Sequence, residues 1–163
     1  MKVLRSVALL IALGGLFITA SAQDAPKVEV FGGYSALVDD VAIHGWHASI
    51  AVNPHPKIGL LADVATQYSD PLRFTQFLFG PQFNGRIGRT NPFVHGLVGF
   101  EGASGGGSRD TNLALGLGGG IDVKIAGPVS LRPIQFDWIP IKTSRWNTST
   151  LRFGIGVVIG FGD

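Results

Sequence analysis

Cysteine is absent from the 163 residues. Without a thiol there is no disulfide framework, no thiolate metal site and no lipidated cysteine to tether the chain. Also missing is any apolar run of the roughly twenty residues that a membrane-crossing helix requires. The longest such run, Val7 to Ile18, holds twelve. Charged residues make up only 15% of the chain, and no block of like charges suggests an acidic or basic interaction tail. Helical periodicity is almost wholly lacking after the first two dozen residues.

The apolar run explains itself by its flanks. Lys2 and Arg5 precede it, and the small residues Ala20, Ser21 and Ala22 follow. This is the pattern of a secretory signal peptide over residues 1–22, with cleavage expected between Ala22 and Gln23 and export by the Sec route. The alternative, a retained N-terminal membrane helix, fails on length. Lys2 and Arg5 account for the excess of 13 basic over 11 acidic residues, so the remainder, 23–163, is balanced. A balanced chain carries no positive field for nucleic acid, and no nucleic-acid partner is expected.

What is present in quantity is glycine, 24 residues, and alternation. Eight segments show the two-residue period of a strand: Lys27 to about Leu37, Ile43–Asn53, Lys57–Tyr68, Leu72–Ile87, Pro92–Gly102, Thr111–Ile125, Val129–Lys142 and Asn147–Phe161. In the sixth, Leu113, Leu115, Leu117, Ile121 and Val123 oppose Ala114, Gly116, Gly118, Gly120, Asp122 and Lys124. In the last, Leu151, Phe153, Ile155, Val157, Ile159 and Phe161 oppose Arg152, Gly154, Gly156, Val158 and Gly160. Each segment has one bulky apolar face and one face of small or ionisable residues. Pro133 and Pro140 weaken the ladder of the seventh segment and suggest a bulge there.

Eight antiparallel strands are the smallest count used by single-chain membrane barrels, and each segment here is near or above the nine to eleven residues needed to cross a bilayer at a tilt. In hydrocarbon an open edge has no water to satisfy it, so the sheet must close. The fold expected is therefore all-β, an eight-stranded antiparallel transmembrane up-and-down barrel over residues 23–163. An eight-stranded barrel has an interior that side chains fill. Small residues make room there for Glu29, Asp63, Glu101, Asp122, Asp137, Arg86, Lys124, Arg152, His47 and His95, which are expected to pair because isolated buried charge is costly. A soluble lipocalin-like barrel would need the opposite parity, apolar inside and polar outside.

Aromatic residues offer a second expectation. With both chain ends on the periplasmic side, Tyr34, Trp46, Tyr68, Phe74, Phe100, Trp138 and Trp146 fall toward the outer ends of their strands, and Phe93 and Phe161 toward the periplasmic ends. Two such girdles suit the two headgroup layers.

These stretches resemble the small outer-membrane β-barrel proteins of Gram-negative-type bacteria, the OmpA-like or porin-family barrel domains. The similarity rests on VEVFGGYS (Val28 to Ser35), GWHASIAVNPHPKIGLLADV (Gly45 to Val64), FLFGPQF (Phe77 to Phe83), GLGGGIDVKI (Gly116 to Ile125) and the last strand. The resemblance implies an integral outer-membrane protein with a structural or surface-contact role, in contact with outer-membrane lipid and lipopolysaccharide and acting as a monomer. It also implies that the last strand is read by the barrel-assembly machinery. Gly156, Ile159 and Phe161 match that signal, whereas Gly154 stands where a polar residue is usual and Gly162 and Asp163 follow the aromatic.

Particular residues bear on other functional classes. His47 and Ser49 share one strand face with the His-x-Ser spacing of outer-membrane lipid deacylases, a base beside a nucleophile. The alternation turns both inward, away from acyl chains, and no carboxylate near in sequence orients the histidine, so no catalytic residue and no enzyme activity is assigned. His44, His47, His55 and His95 show no zinc-site spacing, and GASGGGS (Gly102 to Ser108) lacks the Lys-Ser/Thr of a phosphate loop. That stretch is expected as the longest outward loop, and neither metal nor cofactor is expected. A narrow porin-like channel for small solutes remains the rival function.

Overall fold

The computed structural model describes residues 25–38, 42–105, 107–142 and 147–162. The expected leader and its cleavage point, and Trp146, lie outside the described residues. Eight strands follow one another: β1 (Val28–Val38), β2 (Ala42–His55), β3 (Ile58–Ser69), β4 (Leu72–Asn84), β5 (Thr90–Gly105), β6 (Ser108–Ala126), β7 (Val129–Lys142) and β8 (Asn147–Phe161). Each pairs antiparallel with its neighbours in sequence, and β1 pairs with β8 from Val28↔Phe161 to Val38↔Leu151, closing the sheet. Closure leaves no bare edge, the condition that a bilayer interior imposes.

Strand parity decides which side chains face in. The outward positions of β8, from Phe153 to Phe161, are exposed at every second residue, while Arg152, Gly154 and Val158 are buried. The same holds on β6, where Leu113, Leu115 and Leu117 are exposed and Ala114 and Gly116 are buried. A wall with leucine, isoleucine and phenylalanine outside and arginine, aspartate and glutamine inside inverts the arrangement of a water-soluble barrel. It matches the lipid-facing and lumen-facing alternation of membrane barrels.

Close approach explains where glycine is needed. A methyl group on Gly33 would come within 2.0 Å of the Ile155 carbonyl oxygen, and one on Gly156 within 2.3 Å of that of Gly32, so the facing pair seals the β1–β8 seam at backbone contact. On β6 a methyl at Gly118 would stand 2.1 Å from Asp137 Oδ1. There the missing side chain is the space that a buried carboxylate occupies.

Several expectations need correction. GASGGGS is mostly strand: β5 runs to Gly105 and β6 starts at Ser108, so only residues 106 and 107 connect them. The second segment, expected to end at Asn53, continues as β2 to His55, with a register shift between Val52 and His55. The fourth strand stops at Asn84, and only an isolated Ile87↔Thr90 bridge continues the pairing. The bulge expected in β7 is present. Pairing with β8 skips from Arg132 to Gln135, and Pro133 and Ile134 both point outward. The inserted residue reverses parity, so Arg132 and Gln135 both enter the lumen.

Candidate functional site

The interior holds the chemistry. Arg152 on β8 is fully buried, and its guanidinium reaches across the lumen. Nη1 donates to Asp63 Oδ1 on β3 at 2.9 Å and to Gln76 Oε1 on β4 at 3.2 Å, while Nε donates to Asp137 Oδ2 on β7 at 3.0 Å. Because β4 lies four staves from β8 in the closed order, these bonds connect opposite walls. A histidine backs each aspartate: His47 Nε2 lies 2.5 Å from Asp63 Oδ2, and His95 Nε2 lies 2.6 Å from Asp137 Oδ1. Gln76 donates onward to Glu101 Oε2 at 2.6 Å, and Gln135 to Asp137 Oδ2 at 2.9 Å.

A second storey lies nearer the end that carries residues 25–27 and 162. The Arg132 guanidinium is sandwiched between the rings of Phe31 and Phe93, 4.4 and 4.3 Å from their centroids. Those rings come from β1 and β5, again four staves apart, so the stack also crosses the lumen. Arg132 donates to both oxygens of Asp122, at 2.6 Å from Nε and 3.0 Å from Nη2, and to Gln135 Oε1 at 2.8 Å. A planar cation between two aromatic faces, with a carboxylate gripping its edge, satisfies most of its donors in a dry setting.

The third storey is wet. Arg86 Nη2 donates to Glu29 Oε2 at 2.9 Å, and Asn53 Nδ2 donates to the same oxygen at 2.6 Å. The side chains of this ion pair are 12% and 11% exposed, against zero for Arg152 and Asp63. They border a polar cavity of about 140 Å³ that opens at this end between Asn91, Asp122, Lys124 and Ser130. Asn53 Oδ1, Gln82 Oε1, Asn84 Nδ2 and Asn91 Oδ1 are buried without a protein partner, as expected of groups that bind water.

Seven of the ten ionisable residues expected inside are buried in these storeys, and the Arg86–Glu29 pair adds its two slightly exposed members to the same series. Lys124 is the exception. It is exposed at the end of β6, where two register shifts break the pairing with β7, and it joins no ion pair among the described residues. Arg132 was missed in the sequence, since simple alternation through Pro133 gives it the wrong side. Phe93 was expected in the lower girdle but is only 2% exposed and packs on Arg132. Phe74 is half-buried on the inward parity of β4, whereas Tyr34, Trp46, Tyr68, Phe100, Trp138 and Phe161 do face outward. The histidine at position 47 does have an orienting carboxylate, Asp63, which is distant in sequence and adjacent across the β2–β3 ladder. That carboxylate is shared with Arg152, and among the described residues no hydrogen bond joins His47 to Ser49.

No protein-family model matches the chain, and no curated protein matches it. Solved structures do. The crystal structure of Neisserial surface protein A is 14% identical, with a TM-score of 0.64 over 82% of this chain and 96% of that one. The N-terminal β-barrel domain of Pseudomonas aeruginosa OprF is 10% identical, with a TM-score of 0.67 over 85% of this chain and 100% of that one. The Yersinia pestis outer membrane protein Ail in a phospholipid bilayer nanodisc is 16% identical, with a TM-score of 0.54 over 83% and 99%. At these identities the likeness is one of fold, and that fold is the closed eight-stranded antiparallel barrel of bacterial outer-membrane proteins.

Proposed function

We propose that this protein is an integral outer-membrane barrel with a lumen closed by its own side chains, serving the envelope as a structural or surface-contact element. The observation that carries the reading is the inverted wall: apolar residues outside along every stave, and two storeys of arginine crossing from wall to wall inside. A soluble barrel with this exterior would leave an apolar surface far larger than the few hundred Å² that monomers usually expose. Both chain ends sit on the periplasmic side in this reading, after Sec export of residues 23–163. Outer-membrane lipid and lipopolysaccharide surround the wall, the barrel-assembly machinery engages β8, and the protein is a monomer. No reaction is assigned to His47 and Ser49, because both are buried in the lumen and the histidine is committed to the ion-pair network.

The test is physical. Protein extracted from carbonate-washed outer membranes is expected to migrate differently on electrophoresis before and after heating. Cysteines introduced at Leu115, Leu117 and Ile155 are expected to react with membrane-embedded probes and not with aqueous ones. Recovery in the soluble fraction, or aqueous labelling at those three positions, would falsify the reading.

A second reading, a narrow channel, is favoured by the polar cavity at the terminal end. None of Phe31, Arg132 and Phe93, which stack across the lumen, lines that cavity. Planar-bilayer recording is expected to give no steady conductance from the unsubstituted protein. Discrete openings would make the cavity one half of a pore.

A further inference from the structure

The outward face of β2 to β4, at the end where residues 70–71 join β3 to β4, differs from the rest of the wall. On β4 the outward series reads Arg73, Thr75, Phe77, Phe79, passing from charge through hydroxyl to apolar ring. Arg73 is exposed, and its guanidinium lies over the ring of Tyr68, 5.1 Å from the centroid. It makes no hydrogen bond or ion pair among the described residues, Asp70 in the adjoining turn included. Tyr68 accepts a hydrogen bond from Trp46 Nε1 at 3.3 Å, which leaves its own O–H free to donate. His44 pairs with Tyr68 across the ladder and is hydrogen-bonded to the Tyr34 hydroxyl.

We propose that this patch is a binding site for the phosphate of a lipid headgroup, with Arg73 as the cation and the Tyr68 hydroxyl as a neutral donor beside it. The proposal rests on the membrane reading above and names one lipid contact within it. Three features carry it. A cation without a protein counter-charge stands where the wall changes from apolar to polar, the depth at which headgroup phosphates lie. Ring and hydrogen bonds hold its scaffold, so binding an anion need not order a free arginine. The arrangement is also local: at the same end of β7, Lys142 is exposed and outward with no ring contact or hydrogen bond among the described residues. A general attraction to anionic membrane would use both cations alike. A built site uses Arg73.

The experiment uses Trp46 as reporter, in a Trp138→Phe/Trp146→Phe background, with the protein inserted into vesicles of phosphatidylcholine and phosphatidic acid. Bromine is placed on the acyl chains of one lipid or the other. Brominated phosphatidic acid is expected to quench Trp46 with an apparent affinity about fivefold above that of brominated phosphatidylcholine, the size of one cation's contribution at the surface. Arg73→Gln is expected to bring the ratio to about one, and Lys142→Gln to leave it unchanged. Equal quenching by the two lipids, a preference that survives Arg73→Gln, or one lost equally in Lys142→Gln would overturn the site. Failure of the unsubstituted protein to insert would instead overturn the membrane reading on which the site depends.

Discussion

Two storeys of the lumen use the same chemistry under opposite conditions. Around Arg152 an arginine meets two aspartates with no access to water, whereas Arg86 meets Glu29 at the mouth of a polar cavity. In the sealed storey each charge has lost its hydration, and only its partners compensate, so the pair is strongly interdependent. At the mouth, water replaces whatever a lost partner supplied, and the same contact contributes little. Salt bridges of nearly equal length, 2.9 Å in each case, are therefore not equivalent interactions.

That contrast can be broken at its strong end first. Arg152→Met leaves Asp63 and Asp137 facing each other in a closed interior, and a loss of about 3–5 kcal/mol is expected in urea unfolding of the micelle-bound protein. Replacing both aspartates by asparagine in the same variant is expected to recover much of that loss, because the uncompensated charge is gone. Failure to recover would mean that arginine acts there by packing alone. Next in size is Gly118→Ala, where the added methyl meets Asp137 Oδ1 and the Phe136 carbonyl, the latter at 2.4 Å. Overpacking of this kind typically costs about 1–3 kcal/mol, read from the same unfolding curves.

Between those two storeys, Phe31→Leu removes one aromatic face from Arg132 and retains the Asp122 pair. A loss of about 2 kcal/mol is expected for a desolvated cation–ring contact, and a loss indistinguishable from zero would show that the carboxylate alone holds the arginine. At the weak end, Arg86→Gln is expected to change stability by about 0–1 kcal/mol. If it matched Arg152→Met instead, the cavity mouth would have to be as dry as the centre, and the comparison would fail.

Much of this architecture is legible residue by residue. Leu113 to Val123 and Leu151 to Phe161 alternate so regularly that parity, closure and the inward place of Asp122 and Arg152 follow from period two and the demands of a hydrocarbon solvent. Alternation fails where the backbone departs from it. Arg132 precedes a proline at which one extra residue reverses the faces, and no count along the chain distinguishes that bulge from an outward arginine. Phe93 reads as a girdle residue because its position along the strand is right, and only the Arg132 side chain beneath it gives an aromatic ring a reason to face inward.

The alternating pattern, by itself, determined that this chain makes eight staves and which face of most of them carries charge, because side-chain direction in a strand depends only on position and the surrounding medium dictates which face is buried. Which charges meet was decided in three dimensions. His47 and Asp63 meet diagonally across the β2–β3 ladder, but Arg152 and Gln76 stand 76 residues apart and touch only because the sheet closes at a diameter one arginine can span. Partnership across a lumen depends on stagger, bulges and closure together, and these are properties of the assembled wall that no single strand contains.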